Sequence, residues 1–260
     1  MSADFATFCE KIHRLTGLDL CRYRPEQIER RMGVMLARYQ VSGWDEYLRL
    51  LQEDPARREE FVEWVTIGMS EFFRNPDRFQ ELREVYLPAL IRVAGPGGVR
   101  AWSAGCADGP EPYSLAILFE GLDAAGFHRV LATDVDRQGL RAAEAGIFAE
   151  GAMHQVDRET RDRYFRPRGE NWEVVPAVRR RVTFRYHDLL SAIYPQGFHL
   201  VACRNVLIYF EDATKRAVLE QLAHALTPGG ILFLGATEMV RDPDSLGLRY
   251  LSPCFYRKEN

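Results

Sequence analysis

The sequence has few cysteines and no pattern among them. Cys9, Cys21, Cys106, Cys203 and Cys254 are odd in number, widely scattered and never arranged as CxxC. That argues against a zinc cage and a disulfide framework, and leaves small buried hydrophobes in a reducing compartment. No apolar run approaches the roughly 20 residues that a membrane helix needs. The most apolar stretch, Gly230 to Ala236, is only strand-sized. The opening MSADFATFCEKIHR carries acids early and lacks a signal-peptide core, so a cytoplasmic protein without membrane insertion is expected. There is no GxxxxGK[ST], hence no P-loop, and no GxGxxG.

What remains is an ordinary globular composition. The 260 residues are 47% hydrophobic and 27% charged, ample for a core without staples. The net charge of −3 hides an uneven distribution. Lys11 to Arg38 holds seven basic residues against three acidic ones, and Arg158 to Arg185 nine against four. Two basic surfaces on an otherwise acidic chain suggest anionic partners met at defined places. A nucleic-acid binder is more often basic throughout, so none is expected here.

Residues 1 to about 90 read as helices. In PEQIERRMGVMLARYQ, Ile28, Met32, Met35, Leu36 and Tyr39 share one face, while Arg30, Arg31 and Arg38 make a basic one. The spacing predicts further helices over 45–52, 58–67 and 76–93. Gly95-Pro-Gly-Gly98 breaks the pattern. From Val99 strands and helices alternate, which predicts an α/β fold with a mainly parallel sheet. The stretch 147–181 is too long for an ordinary connection. Its apolar Tyr164, Phe165, Trp172, Val174 and Val175 predict an ordered insert. The organisation expected is a helical domain over 1–75, a helical linker over 76–98, and an α/β domain over 99–260 with the insert at about 147–181.

Ligands of open α/β sheets bind at the carboxyl ends of the strands. After the first strand comes Ser103-Ala-Gly-Cys-Ala-Asp-Gly-Pro-Glu-Pro-Tyr113, wider than a pyrophosphate turn. Gly105 and Gly109 in it are expected to admit a ligand close to the backbone. After the second strand comes Asp134, where one carboxylate can hold a ribose diol. The competing reading is a helix-capping Asp beside a turn without ligand. An adenosine ligand without pyrophosphate points to S-adenosylmethionine (AdoMet) and a class I methyltransferase. Arg204 and Asn205, a polar pair directly after the apolar His199 to Cys203, need a partner at that edge.

At this point the sequence resembles a known family. Ser70-Glu-Phe-Phe-Arg74, Trp102-Ser-Ala-Gly-Cys with Glu111-Pro-Tyr-Ser-Leu-Ala116, Ala132-Thr-Asp-Val-Asp136, and Cys203-Arg-Asn-Val-Leu-Ile-Tyr-Phe210 are similar to the CheR family, the chemoreceptor glutamate O-methyltransferases of bacterial chemotaxis. Pro228-Gly-Gly-Ile-Leu-Phe-Leu-Gly235 with Thr237-Glu238, and the N-terminal Thr16-Gly-Leu-Asp-Leu, Tyr23 and Glu29-Arg-Arg31, extend the likeness over nearly the whole chain.

The resemblance implies a seven-stranded class I methyltransferase sheet with helices on both faces. A small all-α domain precedes it, and a small β-subdomain is inserted in it. It implies AdoMet as methyl donor, S-adenosylhomocysteine (AdoHcy) as product and no metal. It implies that Ser70, Arg74, Glu111, Asp134, Asp188, Leu189, Arg204 and Asn205 hold the cofactor. Tyr209 stands near the methyl group, and it and Arg74 are the candidate catalytic residues. Arg30, Arg31 and Arg38 would dock on the acidic helical bundle of a chemoreceptor, and a monomer is expected. The chain departs from the family pattern at Gly68, Ser70, Pro110 and Asp188. A methyltransferase of RNA or of a small molecule, and a non-catalytic AdoMet-binding module that docks on receptors, are the alternatives.

Overall fold

The structure, a computed structural model, describes residues 3–66 and 70–259, leaving aside the side chains of 3–6, 25–27, 29–31, 59, 63, 64 and 66. The chain divides into two units, Met1–Ile67 with Ile208–Arg216, and Gly68–Leu207 with Ala217–Asn260.

The first unit holds α1 (Ala3–Thr16), α2 (Pro25–Arg38), α3 (Trp44–Glu53) and α4 (Pro55–Thr66). Pro25 opens α2 where its missing N–H costs nothing. Ile28, Met32 and Met35 are buried, as their spacing predicts, with Phe8, Ile12, Tyr47, Leu51 and Phe61. Tyr23 forms an isolated β-bridge with Phe210, and the Arg24 N–H donates to the Tyr209 carbonyl at 2.8 Å.

The second unit begins its helices with α5 (Pro76–Glu81), a π-helical turn over Leu82–Tyr86, and α6 (Leu87–Ala94). Sequence reading expects one continuous helix here. Pro88 has no N–H to give to the turn before it, and the wider turn accommodates that loss. Phe79, Leu82, Leu87 and Leu90 lie in the unit's main core, so the stretch read as a linker packs within this unit.

Then come β1 (Arg100–Ala104), α7 (Pro110–Leu122), β2 (Arg129–Asp134) and α8 (Arg137–Ala145). The insert follows: β3 (Ile147–Ala149), α9 (Arg158–Tyr164), β4 (Phe165–Arg168) and β5 (Asn171–Val174). The chain returns through α10 (Pro176–Arg179) to β6 (Val182–Tyr186), β7 (Phe198–Cys203), α11 (Asp212–Ala225), β8 (Leu226–Leu234), β9 (Leu248–Ser252) and β10 (Phe255–Lys258). The strand order is β6-β2-β1-β7-β8-β10-β9, with β10 alone antiparallel to its neighbours. Order reverses between β1 and β7, which makes the crevice beyond their carboxyl ends the expected ligand position.

The insert is a three-stranded antiparallel sheet, β3-β5-β4. Asp157 caps α9 by accepting the Thr160 N–H at 2.8 Å. That helix is absent from the sequence reading because its seven residues carry no apolar stripe. Phe148, Met153, Phe165 and Val174 of the insert are continuous with Leu115, Ala116 and Phe119 of α7 in one core. Phe72 joins them, its ring edge-on to Phe148 and Phe165, each at 4.9 Å.

Candidate cofactor site

The loop after β1 is tied to the end of β2. The N–H groups of Gly105 and Cys106 both donate to the Thr133 carbonyl, at 2.8 and 3.0 Å. Asp134 fixes the loop further. Its Oδ2 accepts the Ala107 N–H at 2.8 Å and its Oδ1 accepts the Asp136 N–H at 2.9 Å. A carboxylate offers about four acceptor positions, so capacity remains for a ribose hydroxyl. Burial raises the Asp134 pKa above the usual range, against the pull of the Asp136, Ala107 and Val135 amides.

The two glycines are required by the packing of the loop itself. A Cβ on Gly105 would lie 2.4 Å from Val206 Cγ2, and one on Gly109 would lie 2.7 Å from the Ala143 Cβ. Their φ angles of 83° and 103° also require glycine. Val206 and Ala143 occupy the space that a side chain at these positions would need.

Asp108 lies between these glycines. Its Oδ1 is buried without a hydrogen-bond partner, and its pKa is pushed up to about 6, chiefly by burial and further by Asp134 and Asp136. Glu111 stands in the first turn of α7, where its Oε1 accepts from the Ser103 hydroxyl at 2.7 Å. Burial raises its pKa too, opposed by Arg204. This end of the sheet is rich in acid, which suits a ligand carrying a sulfonium and an amine.

Arg204 follows β7 directly and is 5% exposed, so its charge must be met inside the protein. It donates to Glu111 Oε2 at 3.4 Å, to the Arg74 carbonyl at 2.6 Å and to Asn75 Oδ1 at 2.9 Å. Its guanidinium also lies over the rings of Phe79 and Phe233, at 5.0 and 4.5 Å. Arg204 thus brings Arg74 and Glu111 to the end of β7. Asn205 takes a left-handed φ of 60°. Ser70 is partly buried at the start of this segment. Phe73 donates its N–H to the Ser114 hydroxyl at 3.0 Å.

The loop after β6 carries Asp188 and Leu189. Asp188 Oδ1 accepts the Leu190 N–H at 2.8 Å. The Leu189 carbonyl accepts from the Tyr194 hydroxyl. Tyr194 meets Trp102 edge-on at 5.7 Å, and the Trp102 indole donates to Thr133 Oγ1 at 2.9 Å. The His187 N–H donates to the Asp134 carbonyl at 3.1 Å, which brings this loop to the ribose candidate.

Eight of the candidate residues therefore belong to the second unit. Tyr209 belongs to the first unit, in a 3-10 turn over Leu207–Tyr209. Arg38 pairs with Glu60 at 2.8 Å and is largely exposed. The side chains of Arg30 and Arg31, and Gly68 altogether, lie outside the described residues. Five of the nine arginines of the second basic stretch pair with acids of the same unit. Arg158 pairs with Asp162, Arg161 with Glu150, and Arg168 and Arg179 with Glu173. Arg181 is buried on Glu120 at 2.7 Å. Sequence reasoning missed Asn75 and Glu238 as parts of this site. Both partner backbone or a distant arginine, for which spacing gives no signal.

No helix among the described residues is long and apolar enough to cross a membrane.

Two family models match, the CheR methyltransferase all-alpha domain over residues 3–66 and the CheR methyltransferase SAM binding domain over 68–249. A chemotaxis protein methyltransferase of Listeria monocytogenes is 34% identical over 258 residues, covering 99% of this chain and 98% of that protein. Chemotaxis protein methyltransferase 1 of Pseudomonas aeruginosa is 33% identical over 263 residues, covering 97% and 96%. With a helical unit first, a class I sheet after it and acid-rich loops at the switch point, the chain belongs to the CheR methyltransferase family and is an AdoMet-dependent methyltransferase.

Proposed function

We propose that this chain methylates glutamate side chains of chemoreceptors in the cytoplasm, forming methyl esters. The observation that carries the reading is the joint match of both CheR domains to one chain that is covered almost end to end by chemotaxis methyltransferases.

In this reading Asp134 accepts the ribose hydroxyls on its remaining acceptor capacity. Asp188, with Oδ1 committed to Leu190, offers Oδ2 to an adenine amine, and Leu189 supplies apolar contact. Glu111 and Asp108 face the cationic end of the ligand, and Ser70, Arg74, Arg204 and Asn205 close that end. Bound AdoMet supplies a methyl group already activated on a sulfonium sulfur. The acceptor carboxylate, with an ordinary pKa near ~4.3, is ionised at pH 7 and needs no general base. The protein's task is alignment, worth up to ~7–11 kcal/mol in well-oriented reactions. Tyr209 orients the acceptor carboxylate by a hydrogen bond, and Arg74 positions the ligand. Arg30, Arg31 and Arg38 dock on the acidic receptor, so turnover falls as salt rises. No metal takes part, and the enzyme works as a monomer.

The test uses methyl-labelled AdoMet with chemoreceptor-bearing membranes, counting base-labile label on the receptor. Label is expected with the wild type. Asp134→Ala removes both ribose bonds and is expected to weaken AdoHcy binding about 100-fold in calorimetry, equivalent to ~2.7 kcal/mol. Binding of AdoHcy without receptor label would mean another acceptor.

A further inference from the structure

Glu238 lies in the loop after β8 and is 7% exposed, yet no ion pair explains it among the described residues. Its carboxylate accepts three backbone N–H groups. Oε2 takes those of Asn205 at 2.8 Å and Gly235 at 2.7 Å, and Oε1 takes that of Leu207 at 2.8 Å. Its own N–H donates to the Gly235 carbonyl at 3.0 Å. One side chain thus joins the carboxyl ends of β7 and β8.

These donors need an acceptor. Past Cys203 the backbone leaves the sheet and turns left-handed at Asn205, so its N–H groups have no strand to pair with. Gly235 makes the arrangement possible, because a Cβ there would lie 2.5 Å from Glu238 Oε2 and 2.9 Å from the Asn205 nitrogen.

We infer that Glu238 is a positioning residue of the methyltransferase site, holding the backbone of Asn205–Leu207 in the shape that presents Arg204 and Asn205 to the cofactor. The inference rests on the cofactor reading given above. Glu238 itself touches neither ligand nor acceptor in this account. Aspartate is one methylene shorter and fails to span both donor groups. Glutamine keeps one acceptor oxygen but turns a donor toward an N–H.

The experiment compares the full-length wild type with Glu238→Gln by AdoHcy calorimetry, thermal melting and receptor kinetics. Glu238→Gln is expected to melt cooperatively, to bind AdoHcy at least tenfold more weakly, and to keep the receptor KM within twofold. A folded variant that binds AdoHcy like wild type, whatever its melting point, overturns the inference. Amide exchange in the wild type gives a second measurement that needs no variant. Slow exchange at Asn205 and Leu207 before AdoHcy is added is expected, and free exchange there overturns the inference. A wild type that takes no AdoHcy at all overturns the cofactor reading itself, and this inference with it.

Discussion

The loops after β1 and β7 end neighbouring strands but are satisfied to different degrees. After β7 most strong groups have partners in the protein, Arg204 Nε being the buried exception. Glu238 takes three N–H groups, and Arg204 is held by Glu111, the Arg74 carbonyl, Asn75 and two aromatic faces. In the loop after β1, Asp108 Oδ1 has no partner, and Asp134, at the end of β2 and bonded to that loop through Ala107, keeps acceptor capacity. A loop held mostly from within serves as scaffold. A loop with buried, unfilled polar capacity is poised for something that comes and goes, and its folded state is the less stable for it.

The sharpest way to break this contrast is Arg204→Leu. It leaves Glu111 buried without its cation and is expected to lower stability by about 3–5 kcal/mol in urea unfolding. A loss under about 1 kcal/mol would show that the β7 loop is not held by Arg204 in the sense argued.

Asp108→Asn should act in the opposite direction. The folded chain holds a proton on Asp108 up to about pH 6, whereas an unfolded aspartate releases it near ~3.9. Stability therefore falls as pH rises through that window, and above it the wild type bears the full cost. Asparagine removes that cost, so a gain of roughly 1–3 kcal/mol is expected at pH 7.5 and none at pH 4. Melting curves across this range check both the sign and the window.

The smallest expected effect sits where the two loops meet. Ser103→Ala removes one bond to Glu111 and is expected to cost about 0.5–1.5 kcal/mol. Because Glu111 keeps Arg204, the effect should vanish in the Arg204→Leu background if the network acts as a unit. A double-mutant cycle measures this.

Much of the sheet was legible because buried parallel strands are apolar runs with polar ends. Asp134 after LAT, and Arg204-Asn205 after HLVAC, stood out as charges where the strands stop. The insert at 147–181 was legible from its length, and its strands β3 and β4 were not, being three and four residues of mixed polarity. Glu238 was visible only as part of a family motif, since its partners are amides that every residue carries. The basic count over Arg158 to Arg185 overstated the exposed charge for the same reason. Glu120 lies 61 residues from Arg181, and no local pattern announces such a pairing.

The shared core of the insert has a consequence for modularity. Phe148 and Phe165 close around Phe72, which precedes the insert by more than 70 residues and stands two positions from both Ser70 and Arg74. The insert is therefore not a cassette. Exchanging it between relatives would expose apolar surface on α7 and shift the anchor of the Ser70–Arg74 segment. A workable graft would have to carry Phe72 and the facing residues of α7 along with the three strands.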